Sequence, residues 1–81
     1  MVNCKLQFSF FFARSDGALC CSAYDAARRD CFAYCIQPDG TVHERCESYP
    51  LSEWKYLPAA EADIVRDLAV RSQRLIPNYR V

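Results

Sequence analysis

The chain has 81 residues, 52% of them hydrophobic and 14% aromatic, with only two glycines, which is the apolar content of one folded domain and excludes bulk disorder. Ten basic and ten acidic residues cancel, so no global field is available to hold a polyanion or an anionic membrane surface. At this length folding buries only about 60% of the unfolded chain's surface, so stability is small and each core side chain matters.

The first predicted element is a strand over about residues 3–13. Cys4, Leu6, Phe8, Phe10 and Phe12 alternate strictly with Lys5, Gln7, Ser9 and Phe11. The same alternation interrupts any continuous apolar signal-peptide core, and no small-residue cleavage site follows it. The expected compartment is therefore the cytoplasm, of a bacterial host if the chain is phage-derived, with the thiols reduced. No stretch approaches the roughly 20 apolar residues of a membrane-spanning helix, so no membrane partner is expected.

Ser15-Asp16-Gly17 supplies a turn, and a second strand is expected over about 18–24. Residues 22–36 admit two readings. Tyr24, Ala27, Cys31 and Cys35 recur at helical spacing, but Gln37-Pro38-Asp39-Gly40-Thr41 is a strong hairpin turn that needs a strand on each side. The hairpin reading gives strands over about 31–37 and 41–48.

An amphipathic helix is expected over about 58–75, its apolar stripe formed by Ile64, Val65, Leu68, Ala69, Leu75 and Ile76. Pro58 suits its first turn, Glu61 and Asp63 oppose the positive end of the dipole, and Pro77 stops it. Asp63 with Arg66 and Asp67 with Arg71 are spaced for surface ion pairs. Trp54, Tyr56 and Leu57 are expected to pack the joint between the last strand and the helix. The predicted fold is α+β, a single domain over residues 1–81 with a four-stranded antiparallel meander and one C-terminal helix packed on one face.

The six cysteines, at 4, 20, 21, 31, 35 and 46, raise the question of metal or disulfide chemistry. Cys31, Cys35, His43 and Cys46 have the residue types of a small zinc site. In the hairpin register Cys35 lies opposite His43, Phe32 opposite Cys46 and Cys31 opposite Glu47, which leaves Cys46 on the other face from the rest. Cys31 and Cys35 are also separated by about 13 Å of strand, too far to share a zinc that binds sulfur at about 2.3 Å. A zinc site depends mainly on the helical reading of 22–36, which would bring Cys31 and Cys35 together. A disulfide-stabilised secreted protein is a further alternative, with Cys20 and Cys21 pointing to opposite faces of their strand. The simplest reading makes the cysteines small buried hydrophobes, with no metal and no cofactor. Cys35 beside His43 is the one candidate catalytic pair, and it lacks an orienting third group and an oxyanion site, so no enzyme activity is expected.

One helix covers one face of such a sheet. Phe8, Phe10, Phe12, Phe32, Tyr34, Ile36 and Val42 are expected to face it. The reverse face then carries Phe11, Cys31, Ala33, Cys35, His43, Arg45 and Glu47, a semi-apolar centre bordered by charge that suits a protein interface. The expected partner is a larger protein or a second copy of the chain. Small motif-free proteins with this mode of action include phage and mobile-element inhibitors of the anti-CRISPR type, which cover a surface of a host complex. Nucleic-acid binding is the competing class, with Arg28 and Arg29 in a loop able to hold phosphate, but it is disfavoured by the balanced charge and by a single aromatic residue on the open face.

Overall fold

The computed structural model describes residues 6–48 and 52–75. Five strands and one helix follow in order: β1 (Leu6–Ala13), β2 (Leu19–Asp25), β3 (Asp30–Ile36), β4 (Val42–Cys46), β5 (Lys55–Tyr56) and α1 (Ala59–Leu75). All pairings are antiparallel, and the order across the sheet is the order along the chain. The α+β meander is thus present, extended by a two-residue fifth strand that is too short to show a period of its own. The expected positions of Cys4, Ile76 and Pro77 lie outside the described residues.

Two three-residue loops of the same design close the β1–β2 and β3–β4 hairpins. In each, the residue before the loop donates its N–H across the hairpin (Arg14 to Ala18 O, 2.8 Å; Gln37 to Thr41 O, 2.8 Å). The loop glycine adopts the left-handed conformation, at φ 93° for Gly17 and 95° for Gly40. The aspartate before each glycine accepts from the backbone N–H two residues on, Asp16 from Ala18 at 3.1 Å and Asp39 from Thr41 at 3.0 Å. The loops lie side by side, so that a Cβ on Gly17 would meet Pro38 Cγ at 3.1 Å. At Gly40 the nearest atom is Arg66 Nη1, the end of a long side chain, at 3.4 Å. Gly17→Ala is therefore expected to cost about 1–2 kcal/mol, and Gly40→Ala less, read as the difference in midpoint of thermal unfolding. Equal losses would show that the Pro38 contact does not matter.

Residues 22–36 are strand, loop and strand, not helix. The loop between β2 and β3 holds Arg29 at φ 55°, a left-handed conformation that a continuing helix excludes. The hairpin register is the expected one, with Cys35 opposite His43 and Phe32 opposite Cys46.

The first strand departs from strict alternation. Phe8 pairs with Ala23 and Phe10 with Ser22, so β1 carries one extra residue at Ser9, a β-bulge that exchanges the two faces beyond it. Phe11, expected on the open face, is 1% exposed in the core, while Phe10 and Phe12, expected to face the helix, point away from it at 47% and 37%. Phe8 keeps its expected side and stacks on Phe11 with ring centroids 5.7 Å apart.

The core lies between the sheet and α1, where Leu6, Phe11, Cys21, Ala23, Phe32, Tyr34 and Val42 meet Ala62, Val65 and Ala69. The observed helix stripe includes Ala62 and leaves Ile64 exposed, one position around the helix from the expected one. Leu57 packs against the core as expected, whereas Trp54 and Tyr56 do not. Asp67 and Arg71 form the expected ion pair at 3.1 Å. Arg66 pairs with Asp63 and also donates to Gly40 O, which ties the helix to the β3–β4 turn.

A polar cluster covers the core face near the β2–β3 loop. Arg28 folds back from the loop, 3.6 Å over the Phe32 ring, and donates to Asp25 Oδ2 at 2.7 Å and to both oxygens of Glu44 at 3.1 and 2.7 Å. Its Nη2 also donates to the Tyr34 hydroxyl at 3.1 Å, and that hydroxyl donates to Glu44 at 2.8 Å. The hydrogen bonds to Glu44 and Asp25 hold the guanidinium above its usual range against the cost of burial. Burial and the Glu44 carboxylate push the Tyr34 phenol up.

Candidate docking face on the open side of the sheet

The side of the sheet away from α1 is built by alternation and by the Ser9 bulge. One cross-strand row runs through all five strands: Phe12, Cys20, Cys35, His43 and Tyr56. Beside it lie Phe10, Ser22, Ala33 and Arg45, followed by Gln7, Tyr24 and Cys31. Glu47 sits next to Cys31, donating its N–H to the Cys31 carbonyl at 2.9 Å and accepting from Ser22 Oγ at 3.4 Å.

Of the residues expected here, Cys31, Ala33, Cys35, His43, Arg45 and Glu47 therefore share this side, and only Phe11 does not. Sequence reasoning puts Phe10 and Phe12 on the helix side and Trp54 and Tyr56 at the joint, and gives Tyr24 no face. Phe10 (47% exposed), Phe12 (37%), Tyr24 (40%), Trp54 (47%) and Tyr56 (71%) all lie on or beside this face. Apart from Ile64 and Val70 on the helix, they are all the exposed large hydrophobic residues among those described.

His43 packs edge-on against Tyr56 with centroids 4.0 Å apart, and the Arg45 guanidinium lies 5.4 Å from the Trp54 ring. The buried atoms His43 Nε2 and Arg45 Nε have no hydrogen-bond partner among the described residues. Unmatched buried polar atoms are costly to the fold. Arg14, Cys20, Cys35, Gln37, His43 and Trp54 line a depression of about 400 Å³.

The five described cysteines are free. Cys20 faces the open side and Cys21 the core, where burial pushes its thiol up to about 12. Cys46 faces the core side and donates to Asp30 Oδ2 at 3.2 Å, so the four residues of the zinc reading are split between the two faces. Among the described residues no group of three or more His, Cys, Asp or Glu is placed to hold a metal ion. Burial and the neighbouring Cys20 raise Cys35 above the usual thiol range, the reverse of what an activated nucleophile requires.

Of the two loop arginines expected to hold phosphate, Arg28 is held by Asp25 and Glu44 on the core side, and Arg29 is exposed. Arg14 is likewise paired with Asp16, whose carboxyl that hydrogen bond draws down to about 2. No helix among the described residues is long and apolar enough to cross a membrane. No protein-family model, curated protein or solved structure matches the chain.

Proposed function

We propose that the chain is a non-catalytic protein-docking module that binds another protein through the open face of its sheet. The observation that carries this reading is the gathering of Phe10, Phe12, Tyr24, Trp54 and Tyr56 on the side opposite the helix. Aromatic residues are enriched at protein interfaces and dominate their energetics, and the charged groups Arg45 and Glu47 lie among them as polar interface positions. Burial raises the Cys35 thiol, which counts against a catalytic nucleophile at the one Cys–His pair of the face. The mode of action is occlusion of a larger partner's surface, as in inhibitors carried by phages and mobile elements, with anti-CRISPR proteins as the model for it.

Ala33→Arg and the pair Phe12→Asp with Tyr56→Asp test the face without touching the core. Wild-type protein used as bait is expected to retain a partner at about one-to-one ratio, and both variants to lose at least tenfold in affinity, about 1.4 kcal/mol. Circular dichroism of the variants should be unchanged. Variants that fold and capture the same partner with the same affinity would sink the reading. Sedimentation of the isolated protein distinguishes a second copy of the chain from a different protein.

The same aromatics favour a second reading, in which single-stranded bases stack on the face. The balanced charge and the pairing of Arg14 and Arg28 with carboxylates count against it. Retention on single-stranded DNA that weakens steeply with salt would favour this second reading over protein docking.

A further inference from the structure

Within the open face one pair of side chains is placed for a reaction that docking does not use. Cys20 and Cys35 are direct cross-strand partners in β2 and β3, both free, with their sulfurs 3.9 Å apart. We propose that this pair is an oxidisable dithiol, which a small-molecule disulfide such as glutathione disulfide converts into a cross-strand disulfide on the open face.

The backbone is already in position. Residues directly opposite in an antiparallel pair have Cα atoms about 4.5–5.5 Å apart, inside the range of about 4.4–6.8 Å that a disulfide spans, so sulfurs at 3.9 Å reach bonding distance by side-chain rotation with a small approach of the two strands. The other described cysteines are not so placed. Cys21 and Cys46 face the core side, and Cys31 is displaced along β3 by about 13 Å of strand from Cys35. Cys35 already accepts a hydrogen bond from Gln37 Nε2 at 3.3 Å, which fixes the sulfur on the side of the depression.

Access decides the order of events. Cys20 is partly exposed at the wall of the depression, whereas Cys35 is 4% exposed, so the reagent meets Cys20 first. The Cys20 thiolate attacks one sulfur of glutathione disulfide and expels one glutathione thiolate, which takes up a proton. Cys35 then loses its proton and attacks the Cys20 sulfur, breaking the mixed disulfide and releasing the second glutathione thiolate. In balance, the protein dithiol loses two protons and two electrons, and glutathione disulfide is reduced to two thiols. Burial also raises the Cys35 thiol, which lowers its thiolate fraction and disfavours it as the first attacker.

The proposal stands apart from the docking reading, because its readout needs only the isolated protein. The full chain is equilibrated with a mixture of glutathione and glutathione disulfide at the poise of an oxidising compartment, then alkylated, and its disulfide-linked peptides are identified by mass. The expected result is a Cys20–Cys35 crosslink, seen as loss of two hydrogens and of alkylation at these two positions, and reversed by dithiothreitol. In Cys35→Ser the reaction should stop at a Cys20–glutathione adduct, and in Cys20→Ser residue Cys35 should remain alkylatable. A wild-type chain that accumulates the Cys20–glutathione adduct, links either cysteine to Cys4, Cys21, Cys31 or Cys46 instead, or keeps both thiols would overturn the proposal. The wild-type peptide map decides this even if a variant fails to fold.

Discussion

Replacing Arg28 with alanine is expected to destabilise the protein by about 3–5 kcal/mol, because it leaves two carboxylates on the core side without their cation. With Arg28 in place Asp25 has no exposed surface and the Glu44 side chain is only 12% exposed, so both carboxylates depend on the guanidinium for most of their charge compensation. The change also removes the group stacked over Phe32 and one partner of the Tyr34 hydroxyl. A domain of this length has a total stability of about 4–12 kcal/mol, so the variant should be partly or wholly unfolded at room temperature. Arg28→Lys keeps the charge but not the forked contact with Glu44, and should fall between the two. Urea titrations followed by circular dichroism measure both. A shift below about 1 kcal/mol for Arg28→Ala would show that the cluster contributes little.

The same cluster sets a pH dependence. Burial opposes ionisation of Asp25, but hydrogen bonds from the Arg28 side chain and from the backbone N–H groups of Arg28 and Ala27 outweigh it and hold the carboxyl below its ordinary value. A carboxyl depressed on folding contributes stability that is fully present above its unfolded value of about 3.9 and is lost as pH falls through the folded value. The melting temperature should therefore fall below about pH 4. The fall should be shallower in Arg28→Ala, where the main partner of Asp25 is absent.

Alanine substitution along Phe10, Phe11 and Phe12 is expected to give one large loss between two small ones. Phe11→Ala should cost about 3–5 kcal/mol, the value for a buried phenylalanine, and Phe10→Ala and Phe12→Ala under about 1 kcal/mol. An aspartate at Phe11 would therefore report on folding and not on docking. Deleting Ser9 removes the extra residue while keeping Phe11 opposite Cys21, so the deleted chain should still unfold cooperatively. Equal costs at the three phenylalanines, or larger costs at Phe10 and Phe12, would show that the strand has no bulge.

These residues also show where sequence reading reached its limit. The turns were legible because Asp-Gly at 16–17 and 39–40 has a local meaning, and the helix because its period and end signals agree. The register of β3 and β4 followed from loop length alone, which placed six of the seven expected face residues on the correct side. The bulge was not legible. With phenylalanine at 8, 10, 11 and 12, either parity offers an apolar face, and cross-strand pairing with β2 decides between them. Arg28 was misread for a related reason: a basic residue in a loop looks solvent-directed until the fold brings Asp25 and Glu44 to it from different strands. β5 had too few residues to show alternation, which kept Trp54 and Tyr56 off the face in the sequence reading.

The agreement between strand order in the sheet and strand order in the chain has a kinetic consequence. Every strand pair joins neighbours in sequence, and short loops close the first three, so the sheet's pairings have low contact order and form without a large loop-closure entropy. The exception is the docking of α1 on β1, which brings together the two ends of the described chain and needs the longest closure. Sheet assembly is expected to proceed by local steps with helix docking last, so that truncating Val65 to alanine should speed unfolding more than it slows refolding in stopped-flow measurements. Until then Phe11, Phe32 and Val42 are exposed to solvent on one face while Phe10, Phe12 and Tyr24 are exposed on the other. A chain in that interval is apolar on both sides, and self-association during folding competes with helix docking in proportion to protein concentration.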